Sequence, residues 1–179
     1  MEYLELNGKQ YQVMDLLGKG KGGYSYLVTD GQQEFVLKQI HHEPCDYYQF
    51  GDKLESELRD YEHLCLIGVP MPKLLDIDRA QERILKEYIP GLTVYQMVLA
   101  DDPVALYIEQ MRELCKKLYA SGTNIDYFPT NFIACEGALY YVDYECNHYM
   151  EQWNFENWGI GYWSKTPQFM QYASDHGDL

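Results

Sequence analysis

The chain lacks any run of apolar residues long enough to cross a bilayer, and its start, Met1-Glu-Tyr-Leu-Glu-Leu-Asn-Gly8, carries neither a basic segment nor an apolar stretch. Neither a membrane span nor a signal peptide is therefore expected. Cationic residues are scarce: 14 Lys and Arg stand against 28 Asp and Glu, a formal charge of −14. That balance argues against general binding to nucleic acid or to an anionic membrane. The five cysteines (45, 65, 115, 135 and 146) are odd in number, dispersed and free of any Cys-x-x-Cys pair. They fit reduced thiols in a cytoplasmic protein rather than a disulfide frame or a zinc site. No internal repeat and no low-complexity tract occurs.

What is present suits a globular domain. The 179 residues suffice for one compact domain or two small lobes, and 46% are hydrophobic against 23% charged. Tyrosine, at 18 residues, places many polar tips in the core, each needing a partner.

Turn chemistry organises the first forty residues. Asn7-Gly8 and Asp30-Gly31 both tolerate positive φ and predict hairpins, with strands over residues 10–17, 24–29 and 34–40. Asp52 to about Leu66 reads as a helix, with Asp52 as N-cap and Glu55 reaching back in a capping box; Gly68 and Pro70 end it. Residues 71–89 read as two short strands around a turn near 78–82, and Pro90-Gly91 as a break between lobes. Helices follow over 93–100 and from Pro103 to about Tyr119, the second capped by Asp102. Residues 132–135 and 139–144 predict a hairpin across Glu136-Gly137. The tail from Glu151 to Leu179 gathers Trp153, Phe155, Trp158, Tyr162, Trp163 and Phe169, which either cover a small carboxy-terminal lobe or form a partner surface over Trp153–Trp163.

Five features occur in an order that carries chemistry. Gly20-Lys-Gly-Gly-Tyr-Ser25 lies between two expected strands. Glycines let a backbone approach phosphate oxygens closely, and Tyr24 at the tip would shield them from water; a plain glycine hairpin also fits. A helix, which a dinucleotide fingerprint requires, is not expected next. Lys38 interrupts an apolar strand, where a solvent-facing edge position is the ordinary alternative. Glu57 falls on the apolar face of its helix, and a carboxylate there costs several kcal/mol unless paired, which makes Lys38 its natural partner. Asp126 and Asn131, five residues apart, precede the expected hairpin, and Asp143 follows it. Phosphoryl transfer from ATP-Mg²⁺ needs such groups: one to receive the acceptor's proton and two to hold the metal. Glu87–Ile89 suits an extended linker whose backbone could read a purine edge. His41 and His42 read as surface loop residues rather than metal ligands.

Together these residues resemble the protein-kinase-like fold, in particular small atypical kinases of the RIO type and the tRNA-modification-associated kinase class. The resemblance covers about residues 10–147 and includes Glu57-Leu-Arg, Ile67-Gly-Val-Pro-Met-Pro72 and Ile84-Leu-Lys-Glu-Tyr-Ile-Pro-Gly91. It implies an α+β, bilobal fold: an antiparallel β-sheet lobe with one helix over residues 1–89, and a reduced, mainly helical lobe over residues 90–179. It further implies Gly20, Gly22 and Gly23 over the phosphates, an activating Lys38–Glu57 pair, Glu87–Ile89 as hinge, Asp126 as catalytic base, and Asn131 with Asp143 as Mg²⁺ ligands. The usual His-Arg-Asp or His-Gly-Asp is here Asn124-Ile-Asp126, Asp-Phe-Gly is Asp143-Tyr-Glu145, and no Ala-Pro-Glu follows. A serine/threonine-kinase-like phosphotransferase acting on a protein or small-molecule hydroxyl is the leading expectation. A nucleotide-binding regulatory pseudokinase and a small-molecule kinase of the aminoglycoside or choline type are the alternatives.

Overall fold

The computed structural model describes residues 1–44 and 52–177; Cys45 lies outside them. Among the described residues the chain is α+β, with antiparallel sheets and four α-helices. It divides into two compact units: Met1–Arg59 with Pro72–Tyr88, and Asp60–Met71 with Ile89–Leu179. No helix among the described residues is long and apolar enough to cross a membrane.

The first unit is built on six strands: β1 (Tyr3–Leu6), β2 (Lys9–Lys19), β3 (Gly23–Thr29), β4 (Glu34–Ile40), β5 (Leu74–Asp78) and β6 (Arg83–Glu87), in the order β1-β2-β3-β4-β6-β5. Asn7 and Gly8 both take positive φ, 49° and 81°, so the first hairpin turns as the sequence predicts. The Asp30-Gly31 turn is longer than two residues: Asp30 caps the N–H groups of Gln32 and Gln33, and β4 resumes at Glu34. Side-chain alternation along β4 sorts two cores. Phe35 and Leu37 join Leu6, Tyr11, Val28 and Leu85, whereas Ile40 meets Ile84 together with Leu54 and Leu58 of helix α1 (Lys53–Ile67). Asp52 caps α1 through the Glu55 N–H at 3.1 Å. The return bond of the expected capping box gives way to an ion pair, Glu55 accepting from Arg79 Nε at 2.9 Å.

The second unit contains β7 (Leu92–Thr93), α2 (Val94–Leu99), α3 (Ala105–Ala120), β8 (Thr123–Ile125), β9 (Phe132–Cys135), β10 (Ala138–Tyr141), β11 (Cys146–His148) and α4 (Pro167–His176), besides the second half of α1. Thr93 and Gln96 form a capping box at α2. The expected cap at Asp102 is not used: α3 begins at Ala105 with Val104 as N-cap and no side-chain bond. β9 and β10 pair across Glu136 (φ 50°) and Gly137 (φ 78°), the two-residue turn the sequence predicts. β11 pairs β8, and α4, capped by Thr166, closes the tail; neither β11 nor α4 was expected, because both segments are short and mixed in polarity.

Three of those six tail aromatics are core. Phe155, Trp163 and Phe169 are fully buried, while Trp153 is 51% exposed. Trp163 is the largest fully buried side chain; its rings lie 5.2 Å from those of Phe132 and Phe155, and its indole N–H donates to the Tyr127 carbonyl at 2.8 Å. Within the Trp153–Trp163 stretch, Trp153 is exposed, Trp158 and Tyr162 are half-buried, and Phe155 and Trp163 are buried.

Two outcomes follow. Trp163→Ala removes that packing and leaves the Tyr127 carbonyl short of a donor, so urea unfolding should show a loss of about 3–5 kcal/mol. Asp78 is buried and accepts from the backbone N–H groups of Asn7 and Gln81, both at 3.0 Å, which hold its carboxyl below the ordinary 3.8. A depressed carboxyl contributes stability that is complete above about pH 4 and disappears as pH falls below it. Asp78→Asn should therefore lower the melting temperature at neutral pH and flatten its acid dependence below about pH 4.

Candidate functional site

In the first unit, Lys38 sits in mid-β4, opposite Ser25 on one side and Ile84 on the other. Its ammonium donates to both oxygens of Glu57 on α1, at 2.8 and 2.7 Å, and the two side chains are only 12% and 10% exposed. Strand alternation aims Lys38 at the helix, and helical spacing turns Glu57 to the same face as Leu54 and Leu58. The pair is not a solvated edge contact.

The glycine loop lies against that ammonium. It is a tight turn of Gly20, Lys21 and Gly22 between β2 and β3, closed by the Gly20 N–H donating to the Gly23 carbonyl at 2.9 Å. A Cβ on Gly22 would stand 3.9 Å from Lys38 Nζ, and one on Gly23 would collide with the Gln39 carbonyl. At position 23 only glycine fits. His41 holds the loop from beneath: its ring bonds the Gly20 carbonyl at 2.9 Å and its N–H donates to Gly22. The buried Lys53 donates to the carbonyls of Lys21 and His41. His41 is therefore a structural support, and His42 pairs with Glu82 at 2.6 Å. Tyr24 is not at the tip. It lies in β3, its hydroxyl donating to Glu43 at 2.5 Å.

Glu87 belongs to β6 rather than to an open linker. It pairs with Phe35, its N–H donates to the Lys73 carbonyl at 2.9 Å, and its carboxylate accepts the Lys73 N–H. The Glu87 N–H is thus committed within the sheet. Ile89 is 7% exposed and opens the second unit's longer segment.

In the second unit, Asp126 follows β8, whose Ile125 pairs with Cys146 of β11. The Asp126 carboxylate caps the Phe128 N–H at 3.1 Å, which holds the loop in a turn. One 3₁₀ turn, Pro129–Asn131, brings Asn131 back so that its side-chain amide donates to the Asp126 carbonyl at 3.3 Å. The β9–β10 register sets Tyr141 opposite Phe132, and the Val142 N–H donates to the Asn131 carbonyl at 2.9 Å. Asn131 and Asp143 therefore flank the same end of the hairpin. The Asp143 carboxylate accepts the Tyr144 N–H at 2.8 Å.

Tyr141, which the sequence does not single out, and Asn124, which stands out there only as a departure from the motif, organise this loop pair. Tyr141, 1% exposed, accepts the Asp126 N–H at 3.3 Å and donates to the Glu145 carbonyl at 2.8 Å. Burial, then the charges of Asp143, Asp126 and Glu145, push its phenol far above the ordinary range, so it stays protonated. Asn124, standing where the resembled motif has histidine, is buried; it donates to the Met150 carbonyl at 3.0 Å and accepts the Tyr127 hydroxyl at 3.2 Å. The alternation along β10, which turns Tyr141 inward, is the signal that points to it in advance.

Asp126 thus offers a carboxylate able to take a proton, while Asn131 and Asp143 offer oxygen donors suited to a hard cation. Among the described residues no group of three or more His, Cys, Asp or Glu is placed to hold a metal ion. Asn131 and Asp143 supply two protein oxygens of the kind Mg²⁺ takes alongside water and phosphate. Neither a scan against models of known protein families nor a search of curated proteins returned a match.

The pair in the first unit generates a prediction. Glu57→Ala strips the nearly buried Lys38 of its bidentate carboxylate and should destabilise the chain by about 3 kcal/mol in thermal or urea unfolding, the lower end of the cost of breaking a buried pair. Glu57→Gln, which keeps shape and one acceptor, should lose less.

Proposed function

We propose that this chain is an ATP-Mg²⁺-dependent phosphotransferase of the protein-kinase-like class, passing the γ-phosphoryl group to a hydroxyl acceptor. The observation that carries the reading is the hydrogen-bonded frame joining Asp126, Asn131 and the strand end before Asp143. The Lys38–Glu57 pair beside a glycine loop supports it from the other unit. The fold belongs to the same proposal, with residues 1–89 as the amino-terminal lobe and residues 90–179 as a reduced carboxy-terminal lobe. Among the described residues, Cys65, Cys115, Cys135 and Cys146 form no disulfide, and a reducing, cytoplasmic setting is part of the same reading.

In this reading Gly20, Gly22 and Gly23 cover the phosphates, and Lys38, oriented by Glu57, balances their charge. Asn131 and Asp143 would hold Mg²⁺, which would supply positive charge to offset that developing on the transferred phosphoryl group. The acceptor hydroxyl attacks the γ-phosphorus, the bond to the β-phosphate oxygen breaks, and ADP leaves. Asp126 orients the hydroxyl and takes its proton. Little covalent work falls to the protein; positioning and charge neutralisation supply the rate. Base recognition by main chain falls to the Glu87–Ile89 segment, in which the Glu87 N–H donates to the Lys73 carbonyl.

Asp126→Ala should cut ADP release by about 10²–10⁴-fold while ATP-Mg²⁺ affinity, read by calorimetry, stays within about twofold. An unchanged rate removes Asp126 as base. ATP-Mg²⁺ binding by the unsubstituted chain without any transfer would favour the regulatory alternative, and no binding refutes both.

A further inference from the structure

Asp126, Asp143 and Glu145 are brought into one neighbourhood in the second unit, and the group they share is a buried phenol. Tyr141 ends β10, its ring 5.2 Å from that of Phe132. A phenol can donate once and accept as well. Here both capacities reach the main chain of the two loops in question, accepting from the Asp126 N–H and donating to the Glu145 carbonyl.

We propose that Tyr141 is a positioning residue: its hydroxyl fixes the spacing between the loop that carries Asp126 and the segment from Asp143 to Glu145. The catalytic consequence rests on the phosphotransferase reading; the clamp itself rests on the hydrogen bonds. A neutral donor-acceptor suits this place. A cation would compete with the metal for the carboxylates, and an apolar ring would leave the Asp126 N–H without the oxygen it now meets. Other ties hold the same loops: Asn131 to the Asp126 carbonyl, Val142 to the Asn131 carbonyl, and Ile125 paired with Cys146. Tyr141 is the member of this ring that links the Asp126 amide to the far side of Asp143, and Tyr141→Phe can remove that link while keeping the ring's volume. Because the bond ends on the Asp126 amide, which serves the acceptor, and on the Glu145 carbonyl rather than on Asp143 itself, loosening it acts chiefly on turnover and little on ATP binding.

The test is Tyr141→Phe in the full chain with two readouts. Amide hydrogen exchange followed by NMR should show the Asp126 N–H exchanging at least about tenfold faster, with the Ile133 and Leu139 amides of the hairpin still protected. Steady-state ADP release should show kcat lowered roughly ten- to a hundredfold with KM for ATP within about twofold. Unchanged Asp126 exchange overturns the clamp. Faster exchange with unaltered kcat overturns the positioning role, as does loss of protection across the whole hairpin, which marks a structural role alone. A wild-type chain that releases no ADP refutes the phosphotransferase reading instead, and the exchange result then decides the clamp by itself.

Discussion

A carboxylate on the packed face of a helix is stable only beside a cation, and the first unit is arranged around that requirement. Burying either charge alone costs several kcal/mol, so Lys38 and Glu57 must meet, and meeting fixes how α1 lies on β4. The register follows: Ile40, Ile84, Leu54 and Leu58 pack beside the pair, and the glycine turn is drawn down until Gly22 faces the ammonium. His41 and Lys53 then hold the turn's carbonyls. One electrostatic constraint thereby sets a strand, a helix and a loop together.

The second unit solves a different problem. It carries fourteen acidic residues against four basic ones, most of the chain's charge excess, yet it gathers Asp126, Asp143 and Glu145 around one phenol. Main-chain hydrogen bonds do the holding: Phe128 N–H to the Asp126 carboxylate, Tyr144 N–H to the Asp143 carboxylate, and Cys146 N–H to the Asp60 carboxylate at 3.3 Å. Dipoles stabilise carboxylates without neutralising them. In the proposed reading, the hard divalent cation that accompanies a nucleotide would be held here by oxygen ligands and water.

Local signals account for what was readable in the sequence. Asn7-Gly8 and Glu136-Gly137 encode their turns in two residues, the Asp52 cap is a short-range bond, and Glu57 betrays its partner by standing on an apolar face. Asn131 and Asp143 could be placed together because a hairpin returns the chain on itself. Less was readable where tertiary contacts decide. Asp102-Pro103 has the chemistry of a helix start, but α3 begins at Ala105; Glu87 looks like linker text, but Lys73 draws it into the sheet. Tyr24 was assigned to the loop tip because the turn is shorter than its glycines suggest. The tail resisted reading most, since Trp153 and Trp163 are alike in sequence and opposite in burial.

In the proposed reading Asn131 and Asp143 hold the metal of a bound nucleotide. Mn²⁺ substitutes for Mg²⁺ at oxygen sites and broadens NMR signals nearby, so titrating Mn²⁺–ATP into the isotopically labelled chain tests it directly. The account predicts that the amides of Asn131, Asp143 and Tyr144 broaden first and recover when Mg²⁺–ATP is added in excess. Sharp signals at those three positions under saturating Mn²⁺–ATP, with broadening elsewhere or nowhere, would contradict it.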